Sequence, residues 1–297
     1  MNPKISIIIP AYNREKVILK TLEAILSQSF VDWECLVVDD HSKDATRESI
    51  MQFVAKDSRF VFLENERAKG ACGARNTGLQ HAKGDFVLFF DSDDRMHDDL
   101  LESLYTHFTD DVDVVTCWTS VVNVDSGKQV DTFTFVSEGH IHDALLAEKT
   151  YVDTNCALIR RHVCDQINGW SEDCPSFQEW DFHIRLSEVA RYTTLKKLLI
   201  DYYVGGSDAI SKGCYRTVLG KLYILGKYKN EFLYRHSWSY LRNALMVYCM
   251  IQDHQSVNKE ESNNLLQKYN ETILPLFQML VRVLFLARQL KKIIKNK

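Results

Sequence analysis

Two aspartates one residue apart, Asp91 and Asp93 in "FFDSDD", are the side chains of this sequence best suited to holding a metal ion. They follow an apolar run, Phe86 to Phe90, and Asp94 adds a third carboxylate at once. Like charges that close repel, and an ionised carboxylate at the end of a buried strand loses solvation. Set on a turn, Asp91 and Asp93 can point into one crevice and offer oxygen ligands to a hard divalent cation such as Mg2+ or Mn2+. A metal held by so few carboxylates keeps positions open for substrate phosphates. The competing reading makes Asp91 a helix cap and leaves the other two as solvated surface charges.

The elements that must position these acids can be read from hydrophobic period. "KISIII" (Lys4 to Ile9) is a β-branched run closed by Pro10, and Val17, Leu22, Ile25 and Leu26 then recur at helical spacing. "WECLVVDD" is a second strand, followed by a helix with Ser42 as N-cap and Ile50, Phe53 and Val54 on its inner face. "FVFLE" (60 to 64) is a third strand, 71 to 82 a helix despite two glycines, and "DFVLFFD" a fourth strand. Strands and helices alternating over short connections predict an α/β fold, a mostly parallel sheet with helices on both faces. Ligands of such sheets bind beyond the carboxyl ends of the strands, where the strand order reverses. The polar residues obey that rule. Tyr12 and Asn13 close the first strand, Asp39 and Asp40 the second, Asp91 and Asp93 the fourth.

Downstream, "DVVTCWTSVV" and "TFTFV" alternate like strands, 142 to 149 reads as helix, and "NCALIRRHVCDQING" as a strand running into a short helix. From about Tyr215 the chain is helical, with a polar break at 252 to 264. The reading divides it into a domain, 1–214, with halves 1–111 and 112–214, and a helical C-terminal extension, 215–297.

Bulk properties narrow the class. The chain has 297 residues, 45% of them apolar, enough for a sizeable core. A net charge of -4 gives no support to nucleic-acid binding. Eight cysteines without a CxxC pair read as reduced thiols of a cytoplasmic protein, neither a disulfide framework nor a zinc site. The apolar run at the N-terminus is too short for a signal peptide, and no run approaches a bilayer span, so the expectation is a soluble or at most peripheral protein.

Four segments, "ISIIIPAYNRE", "CLVVDDHSKDAT", "GACGARNTGLQHAKGDFVLFFDSDD" and "QEWDFHIRL", together resemble the family 2 inverting glycosyltransferases of bacterial polysaccharide synthesis, which have the Rossmann-like GT-A fold. The resemblance covers about residues 4 to 211, and its strength lies in the order and spacing of the four pieces. It implies that 1–214 is a catalytic domain, with 1–111 its nucleotide-binding half and 112–214 its acceptor-binding half. It also implies a nucleotide-sugar donor, usually a UDP-sugar, at the ends of the first strands. Pro10, Ala11 and Tyr12 match the loop whose aromatic ring lies against the base. Asp40 matches the aspartate that accepts the uracil N3–H, with Asp39 orienting the loop. Arg75 matches a basic residue near the nucleotide, and Asn76 its neighbour. Asp91 corresponds to the first acid of a DxD motif, near ribose and metal, Asp93 to the direct ligand of Mn2+ or Mg2+, and Asp94 to a supporting or capping residue.

Inverting transfer also needs a base for the acceptor hydroxyl. The family places an aspartate in an "ED"-like turn that opens a helix, and the matching position here is Glu179. Asp181 is the alternative base; successive helix positions do not share a face, so one of the two reaches the site. Trp180 reads either as an acceptor platform or as ordinary packing. Many relatives carry a His shortly before a Ser, but "VGGSDAIS" has Ser211 without the His, leaving Asp208 or water in its place.

The final segment, 273 to 297, lines up Leu276, Leu280, Val283, Leu286, Leu290 and Ile294, and after Glu271 every charged residue is basic. It reads either as a helix on the inner face of the cytoplasmic membrane, suited to a lipid-linked acceptor, or as one that packs on the protein or forms a homodimer. The functional expectation is metal-dependent transfer of a sugar to a glycan or lipid-linked acceptor. The alternative is a non-catalytic nucleotide-sugar-binding scaffold, motivated by Glu179 and the missing His.

Overall fold

The computed structural model describes residues 2–205 and 214–295, with side chains through residue 288. It divides into two compact units. The first comprises Met1–Leu145, Thr150–Glu172 and Phe182–Ala209; the second comprises Leu146–Lys149, Asp173–Asp181 and Ile210–Lys297. Two short strips, 146–149 and 173–181, thus belong with the C-terminal helices, where the sequence suggested one cut at 214.

The first unit is built on a nine-stranded mixed sheet of order β3-β2-β1-β4-β8-β6-β9-β5, with β7 paired to β6. β1 (Ile5–Ala11), β2 (Trp33–Asp39), β3 (Phe60–Glu64) and β4 (Phe86–Phe89) are mutually parallel. β1 is apolar but for Ser6, whose hydroxyl donates to Glu34 Oε1 at 2.7 Å, because the strand is central, with Ile7 opposite Cys35 on one side and Leu88 on the other. Pro10 is tolerated near its end. β2 lies to one side of β1 and β4 to the other, so the strand order reverses at β1. That reversal opens the crevice beyond the strand ends in which such sheets hold ligands.

The other half of the sheet is mostly antiparallel. β8 (Ala157–Arg160) pairs antiparallel with β4 and with β6 (Val114–Asn123). β7 (Gln129–Phe133) ends earlier than "TFTFV" suggested. β9 (Tyr192–Val204), the longest strand, runs parallel to β6 and carries β5 (Arg95–Met96) on its outer edge. Helix α1 (Ile18–Leu26) packs on α2 (Thr46–Val54), and α3 (Ala71–His81) covers β1 and β2. Ser42 does not cap α2: that helix starts at Thr46, and the Ser42 hydroxyl instead accepts from the Asn13 N–H at 2.9 Å. Helices α4 (Leu100–Tyr105), α5 (His142–Leu146), α6 (Arg161–Gln166) and α7 (Gln178–Leu186) complete the connections.

The second unit gathers α8 (Cys214–Lys227), α9 (Lys229–Arg235), α10 (Ser237–His254), α11 (Lys259–Thr272) and α12 (Pro275–Lys295). Only residues 255–258 of the expected polar break are non-helical, because Asn258 caps α11 by accepting from the Glu261 N–H. Among the described residues no helix is long and apolar enough to cross a membrane.

Candidate active site

Three loops meet at the carboxyl ends of β1, β2 and β4; hydrogen bonds fix the first two to each other, and an Arg14–Asp93 ion pair joins the third to the first. Asn13 and His41 take left-handed backbone conformations, φ 52° and 62°, just past the ends of β1 and β2. Such conformations cost free energy in non-glycine residues and persist only where surroundings over-determine them. Here the ties are mutual: the Lys43 N–H donates to Asn13 Oδ1 (2.9 Å), and the Arg14 N–H to Thr46 Oγ1 (2.6 Å). Tyr12 stands half-buried at this turn, with the Lys69 ammonium 4.9 Å from its ring centroid. Pro10 and Ala11 are the last residues of β1, and the Ala11 carbonyl accepts from the Asp40 N–H.

Asp40 is buried, and both its oxygens organise the neighbouring loop. Oδ1 accepts from Asn65 Nδ2 at 2.6 Å and Oδ2 from the Gly70 N–H at 2.8 Å. Each oxygen retains a second lone pair. Asp39 accepts from the Ser42 N–H through Oδ2, while its Oδ1 is buried with no hydrogen-bond partner among the described residues. The 65–70 loop runs close over α3. A Cβ on Gly73 would lie 1.8 Å from the Ala68 carbonyl oxygen, so only glycine fits there.

The same helix reaches the acids. Arg75, buried, donates to Asp91 Oδ1 at 2.7 Å and lays its guanidinium 4.6 Å from the Trp170 ring centroid. Four residues of one loop–helix junction therefore separate the group bound to Asp40, Gly70, from the group bound to Asp91, Arg75. Asp91 keeps 31% of its side-chain surface exposed and Asp93 49%. The Arg14 guanidinium is 3.3 Å from Asp93 Oδ2. Partial loss of hydration and the nearby Asp91 nonetheless push the Asp93 carboxyl above its ordinary pKa. Asp94 is buried and raised further, by desolvation first and by Asp91 next. It caps no helix: it accepts from Asn155 Nδ2 (2.6 Å) and from the Tyr203 N–H (3.0 Å), tying the β4 loop to β9.

Asp91 and Asp93 thus present carboxylate oxygens to solvent within a cluster whose charges repel. This donor set suits a hard divalent cation, which would offset the repulsion from Asp91 that, after lost hydration, raises Asp93 and Asp94. Asp94 faces inward and supports the pair.

Several partners escaped the sequence reading. Asn155 braces the cluster twice, accepting from the Asp91 N–H at 2.7 Å as well as donating to Asp94. Arg14 and Trp170 are the others. Nothing local distinguishes them, because each acts on residues far away in sequence. Asn76 proves to be a buried brace that accepts from the Trp170 N–H and donates to Trp170 O and Glu172.

Glu179 and Asp181 lie in the second unit, at the start of α7. Glu179 is half-buried. Asp181 is fully buried, and its Oδ1 accepts from Lys227 Nζ at 2.7 Å and from the Tyr228 hydroxyl at 2.8 Å. Trp180 is buried, with the Lys221 ammonium over its ring. Asp208 and Ser211 lie outside the described residues.

The comparisons with known proteins bear on the family and the fold. A family model described as glycosyl transferase family 2 matches residues 6–167, more than half of the chain. The UDP-Glc:alpha-D-GlcNAc-diphosphoundecaprenol beta-1,3-glucosyltransferase WfgD of Escherichia coli is 50% identical over 90 residues, 30% of this chain and 35% of WfgD. Chondroitin synthase of Escherichia coli is 27% identical over 213 residues, 71% of this chain and 30% of that protein. The matched segments thus span about a third or less of these relatives' lengths. Among solved structures, S. aureus TarS 1-349 in complex with UDP-GlcNAc superposes with a TM-score of 0.65 at 20% identity, covering 93% of this chain and 83% of that one. The mannosyltransferase PcManGT from Pyrobaculum calidifontis, in complex with GDP-Man and Mn2+, gives 0.60 at 16% identity, with 95% and 84% covered. At such identity the structural likeness is one of fold.

Proposed function

We propose a donor and a reaction on one premise: the chain belongs to glycosyl transferase family 2 and carries its GT-A fold. The protein transfers a sugar from a UDP-sugar to a glycan or lipid-linked acceptor in surface polysaccharide synthesis, with inversion at the anomeric carbon. The observation that carries this reading is the exposed Asp91–Asp93 pair at the end of β4, joined through Arg75 and α3 to the loop held by Asp40. The names of WfgD and TarS, with their UDP-sugars, support the donor class.

In this reading the uracil stacks on Tyr12 beside Pro10 and Ala11. Asp40 uses its remaining lone pairs to accept the imide N–H, with the buried Asp39 Oδ1 as a neighbouring acceptor. Asp91 and Asp93 hold Mn2+ or Mg2+, which when bound neutralises the diphosphate charge that grows as the sugar leaves. Arg75 fixes Asp91, and Arg14 steadies Asp93. Glu179 takes the acceptor proton. Asp181 is assigned a different task, since Lys227 and Tyr228 hold its carboxylate. The intact acid pair weighs against a non-catalytic scaffold, which has no use for a metal.

Peripheral contact with the cytoplasmic face of a membrane belongs to the same proposal. Leu276, Met279, Val283 and Leu286 of α12 are exposed, while Val281 is buried and Phe277 and Phe285 meet Tyr240 and Tyr248. The apolar row therefore faces outward, with the exposed Arg282 at its edge, while Arg288 turns inward to Cys249 Sγ of α10. Such a face suits an anionic lipid surface.

Calorimetry with UDP, GDP, CDP and TDP in the presence of Mg2+ tests the donor assignment. UDP is expected to bind most tightly and to lose most affinity on Asp40→Ala; a preference for GDP would overturn the reading.

A further inference from the structure

The second unit contains one helix whose side chains follow the strip 173–181 from end to end. α8 presents Arg216, Gly220, Tyr223 and Lys227 at i, i+4, i+7 and i+11, a single helical face. Arg216 Nη2 donates to the Pro175 carbonyl at 3.1 Å, and the Tyr223 hydroxyl to Asp173 Oδ1 at 3.0 Å. Lys227 Nζ donates to Asp181 Oδ1 at 2.7 Å and to the Tyr223 hydroxyl at 3.1 Å. Gly220 is the point of closest approach. A Cβ there would lie 2.7 Å from both Ser176 Cβ and the Ser176 carbonyl oxygen, and 2.9 Å from Phe177 Cδ2. Beside it the buried Lys221 places its ammonium 4.9 Å from the Phe177 ring centroid and 5.1 Å from that of Trp180. That ammonium is in turn held by Asn243 Oδ1 (2.9 Å) and Glu148 Oε1 (3.4 Å), and Glu148 also pairs with Arg242.

The gripped strip is strained. Phe177 has φ 58°, a left-handed conformation that a bulky residue adopts only under compulsion. It immediately precedes α7, and the residues held by α8 bracket Glu179: Phe177 before it, Trp180 and Asp181 after it. A buried aspartate in a helix's first turn, paired to a lysine on another helix, sets that turn's rotation about its axis. A one-residue slip would swing Glu179 away by about 100°.

We propose that α8 is a positioning clamp for Glu179: the Gly220–Lys221 contact fixes the strained turn before α7, and the Lys227–Asp181 pair fixes the rotation of its first turn. Lys227, Asp181 and Gly220 are positioning residues that act through the backbone carrying Glu179. The proposal rests on the reading of Glu179 as the base, and it gives Asp181 a role that explains why its carboxylate is buried and paired.

The test combines an activity-independent readout with kinetics. Gly220→Ala and the double variant Asp181→Asn/Lys227→Met, which leaves no lone buried charge, are compared with the full-length parent. Hydrogen–deuterium exchange of the peptide 174–182 is expected to quicken at least about tenfold in both, with exchange elsewhere in the chain retained. The kcat for UDP release from a panel of UDP-sugars, water serving as acceptor, is expected to fall at least about tenfold. Donor KM and UDP affinity should stay within about twofold, since Asp40 and the acid pair are untouched. The acidic limb of the kcat–pH profile should move, as loss of mere stability would not move it. Lys227→Arg in the otherwise native chain should restore most of kcat. If either variant fails to fold, Tyr223→Phe removes a single hydroxyl from the same face and must shift both readouts in the same direction. Unchanged exchange at 174–182 overturns the clamp. A fully active Glu179→Gln overturns the base reading instead, and with it the catalytic half of the proposal.

Discussion

Asp93 shows how a residue's environment states its task. Its carboxyl is held above the ordinary range by lost hydration and by Asp91, and Arg14 offsets only part of that. A carboxyl with a raised folded pKa contributes stability that is present at low pH and is lost as pH rises through that pKa. At pH 7 the metal-free protein therefore carries a penalty, and Asp93→Asn should raise its melting temperature. The gain should shrink as pH falls into the raised carboxylate range. With Mg2+ or Mn2+ the sign reverses: the metal should raise the melting temperature of the native chain at pH 7, by about 2–4 °C for each kcal/mol of binding. Protons compete for the same oxygens, so this shift should fade on acidification, and Asp93→Asn should abolish most of it. Differential scanning fluorimetry across pH, with and without metal, checks both signs. The acids themselves were legible in the sequence because two carboxylates closing an apolar strand are conspicuous. Asn155, which bonds to Asp91 and Asp94, was not, since a buried asparagine far along the chain carries no local signature.

Elements position these residues, and α3 does so twice, through Gly70 at its N-terminal end and through Arg75 one turn further in. Gly73 lets the 65–70 loop lie against the helix. Gly73→Val should displace that loop and with it the Asp40 contact, weakening UDP binding about tenfold or more, while costing about 1–3 kcal/mol of stability. Calorimetry with UDP measures the first effect and thermal unfolding the second. The parallel half of the sheet was readable because β1, β2 and β4 are buried and mainly apolar, β3 is a mainly apolar edge strand, and helices separate them. β9 was missed for a physical reason: "YTTLKKLLIDYYV" has exposed lysines in its middle, where register shifts against β6 break the alternation. Ser42 was misread as a cap because a serine after a strand fits either a helix start or a loop tie, and its partner Asn13 lies 29 residues earlier.

For the molecule as a whole, the sequence announced the C-terminal helices but not the strips of chain that group with them. The strips 146–149 and 173–181 join the C-terminal helices through single side chains such as Glu148 and Asp181, which no composition shift announces. The exposed row on α12 sets a prediction at this scale. The full-length protein should sediment with vesicles containing anionic phospholipid and be released by salt. Leu276→Glu/Val283→Glu should weaken that binding at least about tenfold, since each change withdraws apolar surface from the lipid. Undiminished binding would remove α12 from the membrane contact.

The reaction itself gives the most direct test. UDP release is to be followed for UDP-glucose, UDP-galactose, UDP-N-acetylglucosamine, UDP-N-acetylgalactosamine and UDP-glucuronic acid, with Mn2+ and again after chelation. One donor should turn over in a metal-dependent way, and Asp93→Ala should cut the rate about a hundredfold or more. Turnover that survives both chelation and Asp93→Ala would contradict the account.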